Sequence, residues 1–179
     1  MHQKEAEGLP FVLRFKVPER QGKLSYEDKV LGTIESNYKE IDDFVIVRSN
    51  GKPLYLLCNV ADDIRDRISH IIRGQDHMTN TLKQVLIYEA LNAPLPVFAH
   101  IPLTMDTKRA KISKRSHGEV VAVQYYRDKG FLPWAFNNFL ALLGWSPGND
   151  QEIFTQEELI EQFSLERINT SHSIFNYRK

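Results

Sequence analysis

The chain has almost no cysteine, no excess of charge of either sign and no long apolar run, and each shortage closes a class of function. One cysteine, Cys58, has no partner for an internal disulfide and cannot build a multi-cysteine zinc site. That usage fits a reducing compartment, so the cytoplasm is expected. Lys plus Arg number 23 and Asp plus Glu number 23, so the formal net charge is zero. No global field draws such a chain to nucleic acid, and any RNA contact must come from a local basic patch. No apolar stretch nears the ~20 residues of a membrane span. Residues 1–9 lack the apolar core of a secretory signal. The six histidines show no metal-ligand spacing, and no repeat or low-complexity tract is present.

What is present is an ordinary globular composition. The 179 residues are 42% hydrophobic and 26% charged, enough for one domain or one with a small appendage. Both ends read as cut: a polar leader runs at once into a strand at 11–17, and the chain closes on Ser173-Ile-Phe-Asn-Tyr-Arg-Lys179. A longer parent protein is expected.

Residues 26–33 read as extended or irregular. Residues 43–48, Asp-Phe-Val-Ile-Val-Arg, read as a strand that meets a second at 53–58 through Ser49-Asn50-Gly51-Lys52. Asn-Gly between two apolar runs is a strong hairpin signal. Residues 59–67 take helical spacing, and 68–73 read as a buried strand ending at Gly74. Thr81 with Gln84 forms a capping-box pattern before a helix stopped by Asn92, Pro94 and Pro96, and a strand follows at 97–101. Strand, helix, strand at this spacing predicts a βαβ unit in a parallel sheet. After Gly118 only helices are expected: 119–129, one opened by Pro133 and stopped by Gly144, and one capped by Thr155 and Glu158.

The chemistry concentrates in a basic loop, Lys-Arg-Ala-Lys-Ile-Ser-Lys-Arg at 108–115, which sets Lys111, Ser113 and Lys114 in a Lys-x-Ser-Lys frame. Mobile ammonium groups at the edge of an α/β sheet suit the neutralisation of a polyphosphate; the plainer alternative is a solvated basic turn. Arg73 ends a strand, where α/β sheets bind ligands, and its guanidinium can grip a carboxylate bidentately or pair with Asp76 or Asp63. Tyr55 reads equally as half-buried strand packing, and Asn59 as the cap of the helix after it. His100 reads as a hydrogen-bonded core histidine. Asp62 and Asp63 read as residues favouring the positive end of a helix rather than as a catalytic pair.

The Lys-x-Ser-Lys frame resembles the second signature of class I aminoacyl-tRNA synthetases, and collinear matches narrow this to the glutamyl branch. They are Tyr55-Leu-Leu-Cys-Asn-Val-Ala-Asp-Asp63, Ile71-Ile-Arg-Gly-Gln-Asp-His77, Thr79-Asn-Thr-Leu-Lys-Gln84, Phe98-Ala-His-Ile-Pro-Leu103 and Lys111-Ile-Ser-Lys-Arg115. Gly130-Phe-Leu-Pro133 and Leu142-Leu-Gly-Trp145 extend the likeness into the tail. The resemblance implies an α/β fold: the C-terminal half of a Rossmann-like catalytic fold with parallel strands, then an all-helical stem-contact region. It implies three parts: 1–42 as the end of an acceptor-stem-binding insertion, 43–117 as the second half of the nucleotide-binding fold, and 118–179 as stem-contact helices.

The roles implied are Lys111, Ser113 and Lys114 at the reacting phosphates; Asp76, His77, Lys114 and the backbone of Leu103 and Thr104 at ATP; and Tyr55, Asn59 and Arg73 at glutamate. ATP with magnesium is then a substrate, tRNA(Glu) the macromolecular partner, no protein-bound metal is needed, and a monomer is expected. Gln75 stands where many family members carry an acidic residue. The family's first signature, a His-x-Gly-His-like element, has no match here, so the 179 residues alone are expected not to form glutamyl-adenylate. Two alternatives are a paralogue that glutamylates a modified anticodon base, of the glutamyl-queuosine kind, and a non-catalytic RNA-binding module built on the basic loop with Tyr125, Tyr126, Phe131 and Trp134.

Overall fold

The computed structural model describes residues 10–176; the polar leader at 1–9 and the last three residues of the closing aromatic pattern lie outside the described residues. Contacts divide the chain into two compact units, neither of them a single stretch of sequence. The first takes the residues up to Asp28, then Gly32–Ile71 and His77–Phe98; the second takes Lys29–Leu31, Ile72–Asp76 and the residues from Ala99 onward.

In the first unit, β1 (Leu13–Phe15) pairs antiparallel with β4 (Phe44–Val47), and the rings of Phe15 and Phe44 stack at 5.1 Å. β2 (Lys23–Asp28) and β3 (Gly32–Asn37) form an antiparallel hairpin where extended or irregular chain was expected. Its signal was the alternation of β2, in which Leu24, Tyr26 and Asp28 are buried and their neighbours exposed. Gly32, at φ +75°, supplies the left-handed turn residue.

The expected hairpin across Asn50-Gly51 is corrected. The turn forms, but the return strand amounts to one bridge, Val47 to Pro53, before α1 (Tyr55–Arg65) begins. A short apolar run carries no unambiguous period, and this one packs Leu56, Leu57, Val60 and Ile64 at helical spacing onto the core. Asp62 and Asp63 therefore fall near the C-terminal end of α1, not its positive end, and Asp62 pairs with Arg65 at 3.2 Å.

β5 (His70–Gly74), a short 3-10 turn (Gln75–His77), α2 (Met78–Ala90) and β6 (Val97–Ile101) follow in the expected order. The sheet order is β3-β2-β6-β5, with β6 parallel to β2 at Asp28 and Phe98. Thr81 and Gln84 do not cap α2; both lie buried inside it, and the Thr81 hydroxyl donates to the His77 carbonyl at 3.1 Å. α2 is buried along Val85, Leu86, Ile87 and Tyr88 and forms the centre of the first core.

The second unit holds β7 (Thr104–Met105), α3 (Lys114–His117), a 3-10 turn (Gly118–Val121), α4 (Val123–Asp128), α5 (Pro133–Gly144), α6 (Gln156–Gln162) and β8 (Ser173–Ile174). The helix expected at 119–129 is divided between the 3-10 turn and α4. The region after Gly118 is also not all-helical: β8 pairs in parallel with β7, and Trp145 bridges Ile168. Its core is Trp145, Phe154 and Ile168, with Leu142, Leu159 and Leu165 against them. Pro133 opens α5 and the Thr155–Glu158 capping box opens α6 as the sequence suggests.

Candidate active site

The basic loop is shaped by Asp106. Its Oδ1 accepts from the backbone N–H groups of Lys108 and Ala110, both at 2.8 Å, and its Oδ2 lies 3.2 Å from His117 Nε2. The Ala110 N–H foremost, then His117, hold this carboxyl below the usual aspartate range. The strap closes like a small hairpin: Asp106 N–H donates to the Ala110 carbonyl, Met105 bridges Lys111, and Arg109 takes the turn at φ +64°. Lys111 leaves the strap directed at one partner, and its Nζ lies 2.5 Å from Asp76 Oδ2. Ser113 is the N-cap of α3, its Oγ accepting from Ser116 N–H at 3.3 Å, and Lys114 is the exposed first residue of that helix.

Asp76 follows the end of β5, and Gly74 makes room for it. A Cβ at Gly74 would stand 2.5 Å from Asp76 Oδ1. Lys111 is thus brought to the turn that follows Arg73 and Gly74, at the carboxyl end of β5. Arg73 Nε donates to His100 Nε2 at 3.3 Å, and His100 is fully buried in β6. Gln75 Nε2 lies 3.2 Å from the His172 ring, whose Nδ1 accepts the backbone N–H of Leu103 at 3.2 Å. Thr104, in β7, pairs with Ser173. No local signal marks His172, which lies 97 residues from Gln75 and 69 from Leu103.

The first unit groups the other expected residues. Tyr55 opens α1 and is half exposed, so it is not strand packing. Its hydroxyl lies 3.4 Å from His77 Nδ1, which Asn80 Nδ2 also approaches at 3.3 Å. Asn59 lies inside α1 rather than at a cap; its Oδ1 accepts from the buried Gln84 amide. Cys58 is half-buried on the same helix.

Of the aromatics behind the RNA-binding alternative, Tyr126 is core. It is buried, stacks on Phe136 at 4.6 Å, and donates its hydroxyl to the Val120 carbonyl at 2.7 Å. Among the described residues no helix is long and apolar enough to cross a membrane, and no group of three or more His, Cys, Asp or Glu gathers as a metal site.

Arg73 near the end of β5, Asp76 seated against Gly74 and Lys111 on the strap closed by Asp106 thus gather at one place. The family of class I tRNA synthetases (E and Q), catalytic domain, matches residues 1–179, and the chain belongs to it. Its relatives include the glutamate–tRNA ligase of Desulfotalea psychrophila, 75% identical over 177 residues, which are 99% of this chain and 36% of that protein. The glutamate–tRNA ligase of Solibacter usitatus is 52% identical over 173 residues, 96% of this chain and 37% of that protein. A crystal structure of a glutamate tRNA ligase from Elizabethkingia meningosepticum, in complex with its amino acid, superposes with a TM-score of 0.86 at 32% identity, over 98% of this chain and 38% of that one. The chain therefore spans little more than a third of the length of these relatives.

Proposed function

We propose that this chain is the catalytic-domain portion of a glutamate–tRNA ligase, which joins glutamate to the AMP moiety of ATP and passes it to the terminal ribose of tRNA(Glu). The observation that carries the reading is the placement of Lys111 on Asp76, three residues after Arg73. A carboxylate nucleophile is already ionised, so attack on the α-phosphorus needs orientation and charge stabilisation rather than a covalent protein intermediate. Magnesium enters with ATP as part of the substrate.

The roles are those the family resemblance implies, with the geometry and charge of the residues in support. Lys111 and Lys114 neutralise the departing pyrophosphate. The Lys111–Asp76 pair has side chains 52% and 37% exposed, so it is worth at most about 1 kcal/mol and exchanges readily for a phosphate. Ser113 caps the helix that presents Lys114 and can offer its hydroxyl to the phosphates. Asp76, His77 and the backbone of Leu103 and Thr104 receive the nucleotide. Arg73 takes the glutamate side-chain carboxylate. Tyr55 and Asn59 are proposed as further contacts of the amino acid, Asn59 presenting its amide nitrogen because Gln84 occupies its oxygen. In the parent protein, residues 1–42 end the acceptor-stem-binding insertion, 43–117 belong to the nucleotide-binding fold, and the mainly helical stretch after Gly118 contacts the tRNA stem. The enzyme acts as a cytoplasmic monomer.

The test is ATP-dependent thermal stabilisation of the chain. The reading predicts a rise in Tm with ATP that is lost in Lys111→Ala. A rise unchanged by that substitution, or none with either protein, contradicts it.

A further inference from the structure

We infer that His100 is a positioning residue for Arg73: fully buried in β6, it accepts the Nε–H and so anchors the guanidinium that meets the amino-acid carboxylate. The inference rests on the reading above that Arg73 takes that carboxylate. The chemistry of the pair is one-sided. Arginine has only donors and keeps its proton at any ordinary pH, so His100 Nε2, 3.3 Å from Arg73 Nε, has to be the lone-pair nitrogen. His100 is therefore held neutral with its proton on Nδ1. A guanidinium has two bidentate edges, one using Nε with one terminal nitrogen and one using both terminal nitrogens. The bond to His100 engages the first edge through Nε and so limits the rotation of the whole planar group.

Burial gives the arrangement its stiffness. His100 is fully inaccessible in β6, between the buried Ala99 and the exposed Ile101, while Arg73 is half-buried on β5. A rigid acceptor on a strand limits rotation of the long arginine side chain about its own axis. That lowers the ordering cost when a ligand arrives. A histidine serving only to fill space would be replaceable by leucine, and its tautomer would not depend on Arg73.

Nitrogen-15 NMR of the chain at neutral pH tests this, with signals assigned by substitution. The expected result is a lone-pair Nε2 at His100, with an Arg73 Nε–H that exchanges slowly with solvent. In His100→Leu that exchange quickens roughly five-fold, as loss of one net hydrogen bond implies. In His100→Gln, whose amide oxygen can occupy the Nε2 position, it stays slow. On titration with L-glutamate the Arg73 terminal nitrogens shift in the unsubstituted chain and in His100→Gln, and weaken several-fold in His100→Leu; glutamine shifts none of them. A protonated Nε2, or Arg73 exchange and glutamate response equal in the leucine and glutamine variants, overturns the positioning role. The tautomer reading on the unsubstituted chain needs no variant and holds if His100→Leu does not fold. An Arg73 indifferent to glutamate in the unsubstituted chain, with the tautomer as expected, overturns the glutamate reading beneath it while the histidine–arginine bond stands.

Discussion

Lys111 Nζ lies 2.5 Å from Asp76 Oδ2, although 35 residues separate the two in sequence. Two local devices create that meeting. Gly74 lets the Asp76 carboxylate fold back against the end of β5, and Asp106 closes the strap that delivers Lys111. The pair marks the point where the basic loop meets the turn after β5, the strand that carries Arg73.

Gly74→Ala separates geometry from stability. The backbone at Gly74 is not left-handed, so alanine itself gains up to about 1 kcal/mol through the unfolded state. Its Cβ would stand 2.5 Å from Asp76 Oδ1 and must drive the carboxylate away. The exposed ion pair it breaks is worth about as little. The expected outcome is a Tm nearly unchanged with the Lys111–Asp76 contact gone, read from the lysine ammonium signal by NMR.

Asp106→Ala should loosen the strap around Lys111 while the core stays folded, seen as faster amide exchange at Lys108 and Ala110. The pH dependence has a defined sign. A carboxyl held below the usual aspartate range contributes order that is fully present above that range and is lost as pH falls through the lowered folded value. Protection of Lys108 and Ala110 should therefore persist through mild acid, at about pH 5, and fail only below the ordinary aspartate pKa of ~3.9.

Thr155→Ala removes the side-chain half of the capping box on α6, in which Thr155 N–H also donates to Glu158 at 2.7 Å. The expected loss is about 1 kcal/mol in chemical denaturation, with no effect on ATP response.

His172→Ala bears on the nucleotide side. Leu103 N–H donates to the His172 ring, so that donor is occupied where adenine is proposed to lie. Removing the imidazole should raise ATP affinity roughly five-fold by calorimetry, the worth of one net hydrogen bond. An unchanged affinity would place the adenine elsewhere.

Much of this was legible in the residues, because it rests on local chemistry. The Thr155 and Glu158 box, Pro133 at the start of α5, the strand at β6 and the basic strap all carry short-range signals. The β2–β3 hairpin is signalled in part, through the alternation of Leu24, Tyr26 and Asp28, but its turn at 29–31 lacks the Asn, Asp or Pro that would mark a hairpin. Residues 53–58 depart from the expected strand because a six-residue apolar run fits strand and helix alike, and packing of α1 against α2 decides for helix. Contacts such as Gln75 with His172, or Lys111 with Asp76, have no sequence-local cause. They follow from which strand ends the fold brings side by side.

The most direct test labels the lysine ammonium groups and follows them by NMR as MgATP is added to the chain. The account predicts that the Lys111 and Lys114 signals move together with a single saturation curve, and that Lys111→Ala abolishes the response at Lys114 as well. Two lysine signals that stay still, or a nucleotide response that survives Lys111→Ala intact, would contradict it.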